Sequence, residues 1–214
     1  MKTPIFNIQG YVLTLLDGGL EDPKVNREYL FRTDKSVERM INIIDDLESI
    51  SQLETGELII EQEKFDIVAI AKDVCESQEM KATAKGIILS IKNDIPVFVF
   101  ADRFRIRQVL INLIVNSIKY GKEYGETIIQ ITENNALVKV EISDNGIGIS
   151  EEHIDRLFER FYRVDKSRSR EQGGTGLGLA IVKHILEAHD QKIYVSSQLG
   201  TGTILSFTLK KAIN

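Results

Sequence analysis

Two glycine-bearing strings lie about thirty residues apart, and their composition suits contact with a flat, phosphorylated ligand. The first is Asp144-Asn145-Gly146-Ile147-Gly148-Ile149 and the second is Gly173-Gly174-Thr175-Gly176-Leu177-Gly178-Leu179. Glycines let the backbone approach a ligand closely and adopt dihedral angles closed to other residues. Those of the second string precede a predicted helix, whose free N–H groups and dipole favour anions such as phosphate. A single glycine is as well explained by a flexible turn, but the set favours a ligand site.

A predicted helix upstream, Arg105 to Tyr120, carries a narrow polar stripe on an otherwise apolar surface. At 100° per residue the stripe spans about 80°, and it consists of Arg105, Gln108, Asn112, Asn116 and Lys119. The apolar remainder is Ile106, Val109, Leu110, Leu113, Ile114 and Ile118. Asparagine is a poor helix former, and solvated helix faces are usually rich in Lys and Glu. We therefore predict that the stripe faces a ligand; the alternative is a stripe that meets water.

A basic loop connects Arg160 to the second glycine string. It holds Arg160, Arg163, Lys166, Arg168 and Arg170 against Asp165 and Glu171. Between two glycine strings, such a loop is predicted to be a lid that closes on phosphate, although basic loops are more often simply solvated. Phe158 and Phe161 either anchor the lid by packing or fill the core.

Residues 1–55 are predicted to form a helical hairpin that precedes this machinery. Ile5, Ile8, Val12 and Leu15 repeat at alternating steps of three and four, as in a coiled-coil seam. The second helix, from about Asn26 to Leu53, presents a matching apolar row: Val37, Met40, Ile41, Ile44, Leu47 and Ile50. A second copy of the chain would complete a four-helix bundle. The alternative is that the seam docks on the chain's own second domain.

Residues 56–214 are predicted to form an α/β sandwich with helices on one face, which makes the chain α+β overall. Asp66 and Asp102 are predicted to cap helices. Strands are predicted at Leu58–Ile60 and on either side of the turn at Asn93–Pro96. Further strands are predicted at 127–133, 137–143, 192–196 and 203–209.

Composition excludes several classes of protein. A net charge of -5 argues against nucleic acid as a partner. The single cysteine, Cys75, is predicted to be a small buried residue, and it suits a reducing cytosol. The sequence contains no run of eighteen apolar residues, so it predicts no membrane-spanning helix in this stretch. The three histidines, His153, His184 and His189, fall in no metal-ligand pattern and are predicted to be ordinary surface or helix residues.

The asparagine helix, the first glycine string, Leu157–Arg163 and the second glycine string resemble the N, G1, F and G2 boxes of sensor histidine kinases, in their usual order. The resemblance covers nearly the whole chain. It implies an ATP-binding domain in which Asn116 gives an oxygen to Mg²⁺, Asn112 lies beside it and Lys119 reaches the phosphates. Tyr120 would line the pocket and Asp144 would accept from the adenine amino group. The remaining implied ATP-binding residues are Gly146, Gly148, Ile149, Phe158, Tyr162, Arg163, Gly174, Thr175, Gly176, Leu177, Gly178 and Leu179.

Asn112 separates two chemistries within the resemblance. Gyrase-type ATPases of the same superfamily carry glutamate there, as the base that activates water. Asparagine takes no proton at neutral pH, so the γ-phosphoryl group stays available to another acceptor. The resemblance therefore implies a phosphotransferase, with Asn112 and Lys119 as catalytic residues.

The chain departs from the family at its start. Family members carry His-Glu-x-[Arg/Lys]-Thr-Pro, whereas this chain begins Met1-Lys2-Thr3-Pro4. In that register the acceptor histidine would lie two residues before Met1, so we expect a truncation just after it. Thr3 corresponds to the threonine that relatives use to dephosphorylate their partner, a role that also needs the histidine and glutamate.

Three functions follow as expectations. The first is the cytoplasmic portion of a homodimeric histidine kinase, which passes phosphate to a histidine and then to a response-regulator receiver domain. Its parent would be anchored in the membrane only through other parts. The second is a nucleotide-binding and dimerisation module without catalysis. A serine-directed kinase is the third, and the histidine-kinase-like hairpin disfavours it.

Overall fold

The computed structural model describes residues 2–54, 59–164 and 175–212, with an N-terminal helical hairpin followed by a sheet domain. The hairpin contains α1 (Lys2–Thr14), a π-helical turn (Leu15–Gly19) and α2 (Asn26–Glu54). The turn leaves helical geometry at Asp17 and at Gly18, whose φ is +93°. The rings of Tyr11 and Tyr29 pack edge to face, with 5.5 Å between their centroids, and link the two helices. No helix among the described residues has the length and apolarity to cross a membrane.

The sheet domain contains seven strands and four further helices within the described residues. The strands are β1 (Glu63–Asp66), β2 (Ile88–Ile91), β3 (Phe98–Ala101), β4 (Glu126–Asn134), β5 (Leu137–Asp144), β6 (Ile193–Gln198) and β7 (Gly202–Lys211). The helices are α3 (Ile67–Thr83), α4 (Arg103–Tyr120), the short α5 (Glu151–Ile154) and α6 (Gly178–Ala188).

The strands form one mixed sheet in the order β1-β3-β7-β5-β4-β2, with β6 also paired to β7. All pairs are antiparallel except β2 with β4. One edge of β7 pairs with β5 over eight residues, whereas its other edge is divided between β6 and β3. The first glycine string follows β5 and the second leads into α6, so both lie at ends of these central elements.

The core lies between one sheet face and helices α3, α4 and α6. Burial alternates along the central strands, as in Val138, Val140 and Ile142 of β5. All six residues that the sequence assigned to the apolar surface of α4 are buried, which confirms the periodicity argument. The predicted class, a helical segment followed by an α/β sheet domain, is therefore confirmed.

Both predicted helix caps are present. Asp66 accepts from the Val68 N–H at 3.0 Å and Asp102 accepts from the Arg105 N–H at 3.0 Å. At the other end of α4, Lys85 donates to the carbonyl groups of Ile118, Lys119 and Gly121 at 2.7 to 3.0 Å. A cation on the last carbonyls of a helix complements its dipole and holds the end in place.

The prediction of a strand at Leu58–Ile60 was wrong. Ile59 and Ile60 form no strand, and the first strand is the more polar Glu63–Asp66, because β3 supplies its hydrogen-bonding partner. Leu58 lies outside the described residues. The two strands predicted around Asn93–Pro96 are present as β2 and β3, and each pairs elsewhere: β2 joins β4, and β3 joins β1 and β7.

Helix α2 uses two opposite faces. Arg39, Ile43 and Asp46 lie within about 60° of one another and face the sheet domain, where α2 contacts α6. Val37, Ile41 and Ile44 lie about 160° away and are exposed. Leu47, predicted to belong to the exposed seam, instead packs against the core of the sheet domain. The two alternatives for the seam therefore apply to different faces of α2. One face packs against the sheet domain of the same chain, and the other face is exposed.

Candidate nucleotide-binding site

The polar stripe of α4 forms one wall of the site. Asn112, Asn116 and Lys119 are half-buried, whereas the opposite side of the helix is fully buried in the core. Gly178, the first residue of α6, lies directly over Asn112: a Cβ at this glycine would come within 3.4 Å of the Asn112 Oδ1. The stripe therefore lies against the start of α6 at Asn112, and its contact with a ligand stays a prediction.

The first glycine string closes the carboxyl end of α4. The Ile147 N–H donates to the Tyr120 carbonyl at 3.1 Å, and a Cβ at Gly146 would lie 2.4 Å from that same oxygen. Gly148 has a φ of +66°, and a Cβ there would lie 2.0 Å from the Gln198 carbonyl oxygen. Only glycine fits at position 148, so the loop is fixed between α4 and the β6–β7 turn.

Asp144 ends β5 beside this loop and is half-buried. Burial raises the pKa of its carboxyl group, while hydrogen bonds from the backbone of Gly146 and Thr203 oppose the shift. The Gly146 N–H donates to Asp144 Oδ1 at 2.8 Å, which is the turn-capping role that any aspartate could play here. A carboxylate has acceptor sites beyond these two backbone hydrogen bonds, so the structural and the ligand-binding roles are compatible.

Sequence reasoning missed two hydroxyl groups next to Asp144. Thr203 pairs with Asp144 across the β5–β7 ladder and is buried. Its Oγ1 lies 2.8 Å from the Ser197 Oγ, which in turn accepts from the Ile149 N–H at 2.9 Å. Neither residue belongs to a recognisable string, and only the strand register would have brought them to the site.

The second glycine string reaches the site at its described end, Thr175 to Leu179. Gly176 has a φ of +76° and accepts from the Phe161 N–H at 2.9 Å, so the loop rests on the Leu157–Arg163 segment. The Thr175 Oγ1 accepts from the Leu177 N–H at 3.1 Å and donates to Asp46 Oδ2 of the hairpin at 2.9 Å. Burial raises the Asp46 pKa, partly offset by that hydrogen bond. The start of α6, whose first N–H groups have no partner within the helix, thus lies close to both Asn112 and the hairpin.

Cations converge on the same wall. Lys119 has a pKa lowered to about 8, first by burial and then by the charges of Arg163 and Arg39. Its Nζ lies 5.0 Å from the centroid of the Tyr120 ring. Burial raises the Tyr120 pKa, and Arg163 opposes that shift. Such a concentration of positive charge beside free helix N–H groups is suited to a polyphosphate.

The other predicted site residues occupy varied positions. Leu177 is fully buried and Leu179 packs against the core, so they offer the site their backbone rather than their side chains. Phe158 also packs against the core, whereas Phe161 is largely exposed. The Tyr162 hydroxyl is hydrogen-bonded to His153 at 2.8 Å, under a guanidinium from Arg156. Gly174, Lys166, Arg168 and Arg170 lie outside the described residues, as does the side chain of Thr3.

Two predictions about single residues need correction. His189 was predicted to be an ordinary surface or helix histidine, but it is buried and structural. Its Nε2 accepts from the Asp102 N–H at 3.0 Å and its Nδ1 bonds the Ile185 carbonyl at 2.7 Å, which joins the end of α6 to the start of α4. Cys75 is only partly buried, and burial raises the pKa of its thiol to about 11.

The donor set at the stripe fits a hard cation bound together with phosphate. Asn112 and Asn116 place two amide groups one turn apart on the open side of α4. Among the described residues, no three His, Cys, Asp or Glu side chains converge as a metal cluster. A Mg²⁺ ion here would therefore take most of its ligands from phosphate oxygens and water, as Mg²⁺ commonly does.

Comparison with known proteins agrees with these elements. A family described as histidine kinase-, DNA gyrase B- and HSP90-like ATPase matches residues 101–213, and the His Kinase A (phospho-acceptor) domain matches residues 1–56. Sensor histidine kinase WalK of Bacillus subtilis (strain 168) is 35% identical over 98% of this chain and 34% of its own length. The chain thus spans about a third of the length of the curated relatives it matches.

Solved structures show the same architecture. Acinetobacter baumannii histidine kinase AdeS is 29% identical, with a TM-score of 0.78 over 99% of this chain and 97% of that one. Histidine kinase ThkA in complex with response regulator protein TrrA is 26% identical, with a TM-score of 0.78 over 99% of this chain and 58% of that one. The chain therefore belongs to the family of histidine kinase-, DNA gyrase B- and HSP90-like ATPases, and within it to the sensor histidine kinases.

Proposed function

We propose that the chain is the catalytic portion of a sensor histidine kinase, which transfers the γ-phosphoryl group of ATP to a histidine and then to a response-regulator aspartate. Residues 1–55 would be the dimerisation hairpin and residues 56–214 the ATP-binding domain. The observation that carries the proposal is the close approach of Gly178 to Asn112, whose Oδ1 lies 3.4 Å from the point where a Cβ at this glycine would be. The side chain of α4 that lies against the predicted phosphate loop is therefore an amide. A carboxylate, which could activate water, does not occupy that position.

The adenine end of the site is assigned to the first glycine string. Asp144 would accept a hydrogen bond from the adenine amino group, with Thr203 and Ser197 beside it. Tyr120, which is partly exposed, would line the pocket next to the fixed loop at Gly146 and Gly148. Ile149 is half-buried and would contribute its apolar side chain to this end.

The phosphate end is assigned to α4 and the start of α6. Lys119, Arg163 and the backbone N–H groups of Gly176, Gly178 and Leu179 would neutralise the triphosphate. Asn116 would hold Mg²⁺ with Asn112 beside it, and the ion would supply charge neutralisation at the phosphates. Phosphoryl transfer depends mainly on placement and charge neutralisation, so this set of groups matches the demands of the reaction.

The proposed phosphoryl transfer to histidine needs no general base on α4. A histidine nitrogen would attack the γ-phosphorus, the bond to the β–γ bridging oxygen would break, and ADP would leave. Asn112 cannot remove a proton from water, so hydrolysis of ATP stays slow while the γ-phosphoryl group is held for the histidine. This division of labour favours a kinase over an ATPase.

The exposed faces of the hairpin support the remaining proposals about partners. The open row of Val37, Ile41 and Ile44 would pack against a second copy, giving a four-helix bundle. A response-regulator receiver domain is proposed as the second partner, because the related kinase ThkA has been solved in complex with response regulator protein TrrA. We place this portion in the cytoplasm, where both ATP and a response regulator would be available.

The kinase proposal is tested by adding a phosphoacceptor histidine to the chain. His-Glu-Leu replaces Met1, with a few turns of helix before it, and the protein is incubated with [γ-³²P]ATP and Mg²⁺. We expect acid-labile, base-stable phosphate on the added histidine and none after Asn116→Ala in the same extended chain. The unmodified chain should bind ATP without labelling, since no histidine in it is followed by Glu-x-[Arg/Lys]-Thr.

Each result separates the kinase from the non-catalytic module. An extended chain that binds ATP, dimerises and stays unlabelled would favour the module. Strong histidine labelling of the unmodified chain would mean that the acceptor is misplaced, and His153, His184 and His189 would then be replaced one at a time.

A further inference from the structure

The inward face of α2 brings a charged residue of the hairpin to the nucleotide site. Ile43 on that face is buried, and Asp46 accepts the hydrogen bond from Thr175 in the second glycine string. Arg39 lies one turn before Ile43 and within about 60° of Asp46 around the helix axis. The hairpin is therefore docked where its side chains can reach a ligand held at the start of α6.

Arg39 is close to the cations already assigned to phosphate. Its charge, together with burial and Arg163, contributes to the lowered pKa of Lys119. The like charges of Arg39 and Lys119 repel each other, and an anion bound between them would relieve that repulsion. Among the described residues, Asp46 is the one acidic residue of α2 that is hydrogen-bonded to the glycine string. Its carboxylate already accepts a hydrogen bond from Thr175.

The guanidinium of Arg39 also has donor capacity to spare. Its Nε is buried, and no acceptor in the described part of the chain reaches it. A buried donor without a partner is unfavourable by an amount comparable to a lost hydrogen bond. Arginine presents several N–H donors in a planar fork that matches phosphate oxygens, and this geometry makes it well suited to phosphate recognition.

We propose that Arg39 binds the terminal phosphates of ATP, so that the hairpin completes the nucleotide site of its own chain. The inference rests on the proposed function, since it assumes that ATP occupies the site. It adds a residue outside the ATP-binding domain, and it makes ATP affinity depend on how α2 is docked.

The experiment compares nucleotides that differ in their phosphates. A non-hydrolysable ATP analogue and AMP are each titrated calorimetrically, with Mg²⁺, into the unmodified chain and into Arg39→Met. Loss of one charge-assisted contact should weaken the ATP analogue about 10-fold. AMP affinity should change less than about twofold, because AMP lacks the phosphates that Arg39 is proposed to contact. Arg39→Lys keeps the charge and should recover part of the loss.

Arg32→Met is the matched control. Arg32 lies on the same helix, is exposed and pairs with Glu28, so its loss removes the same charge two turns away from the site. It should leave the affinity for both nucleotides unchanged. Light scattering on each variant shows whether the oligomeric state has changed, and ³¹P spectra of the bound analogue should shift at the γ-phosphate only when Arg39 is replaced.

The outcomes separate the two hypotheses. If the unmodified chain binds neither nucleotide, the proposed function is wrong, and this inference is wrong with it. If the chain binds the analogue and Arg39→Met binds it equally well, only the inference is overturned. Equal weakening of the analogue and AMP also overturns it, because that pattern indicates a change of structure rather than a lost phosphate contact.

Discussion

The hairpin and the sheet domain bury their apolar side chains to very different degrees. In the sheet domain, α4 and α6 cover the apolar face of the central strands, and the core closes within one chain. In the hairpin, Leu15 and Ile43 are the only large apolar side chains buried among the described residues. The exposed ones include Ile5, Phe6, Val12, Leu13, Leu16, Leu20, Leu30, Phe31, Val37, Ile41 and Ile44.

The two regions therefore depend on different interactions for their stability. The sheet domain is held by its own core and by hydrogen bonds between distant segments, such as those of Lys85 and His189. The hairpin presents a wide apolar surface of a kind that soluble proteins usually cover. Variants of the hairpin should therefore alter assembly, whereas variants of the sheet domain should alter affinity or unfolding.

The largest expected effect is on assembly. Ile41→Glu combined with Ile44→Glu places two charges in the exposed row of α2 and should convert a dimer into monomers, because the charges cannot be desolvated in a bundle. ATP affinity should remain within about twofold of the unmodified value, since this row faces away from Arg39. Light scattering measures the mass, and Asn42→Glu on the same helix is the control.

A monomeric mass for the unmodified chain at tens of micromolar would contradict the bundle. Leu47 is not a suitable target for this test, although the sequence placed it in the seam. It packs on the sheet domain, so its replacement would disturb the docking of α2 as well.

The next largest effect concerns the base end of the site. Asp144→Asn keeps an oxygen for the Gly146 N–H but removes the charge, so the loop should stay folded while ATP binding weakens by about 1–3 kcal/mol. Discrimination between ATP and GTP should shrink too, because an asparagine amide can donate to the oxygen that guanine carries where adenine has its amino group. Calorimetry with both nucleotides measures these effects, and unchanged ATP affinity in the folded variant would remove Asp144 from the adenine site.

Unfolding of the sheet domain should respond to His189. His189→Leu leaves the Asp102 N–H and the Ile185 carbonyl without their partner, which should lower the free energy of unfolding by about 1–3 kcal/mol. Urea titration followed by circular dichroism measures the change. His184→Leu, at a half-buried position on the same helix, should cost less, and equal losses in the two variants would show that the bridge from α6 to α4 contributes little.

The smallest expected effect is a dependence of affinity on pH. Lys119 has a lowered pKa of about 8 in the free protein, and bound polyphosphate would raise that pKa because opposite charge favours the protonated amine. Binding should therefore take up a proton near pH 8, and ATP affinity should fall by up to about tenfold from pH 7 to pH 9. Calorimetry in buffers of different ionisation enthalpy measures the uptake. Lys119→Met should abolish it, and uptake that persists in this variant would point to another group.

Much of the sheet domain follows from local patterns in the sequence. The apolar surface of α4, the caps at Asp66 and Asp102, and the strands on either side of Asn134-Asn135 are all where periodicity and turn chemistry place them. These features depend on neighbours within a few residues, so one stretch of sequence is enough to predict them.

Features that depend on distant segments were not predictable in the same way. The polar strand β1 exists because β3 pairs with it, and β2 runs parallel to β4 although a turn separates it from β3. Thr203 and Ser197 reach Asp144 only through the register of β7. The sequence alone does not distinguish Arg39 from an ordinary surface arginine, because its position depends on how α2 packs against the sheet domain. In each case the chemistry is set by contacts between residues far apart in sequence.

The division of one edge of β7 between β6 and β3 affects how molecules of this protein can self-associate. Because β6 and β3 share that edge, the strands left at the rim of the sheet are short: β1 and β2 have four residues each and β6 has six. Short rim strands are poor templates for the strand-by-strand growth that leads to fibrils. Self-association through the backbone is thereby discouraged, and the proposed contact between copies would depend on the side chains of the helical hairpin.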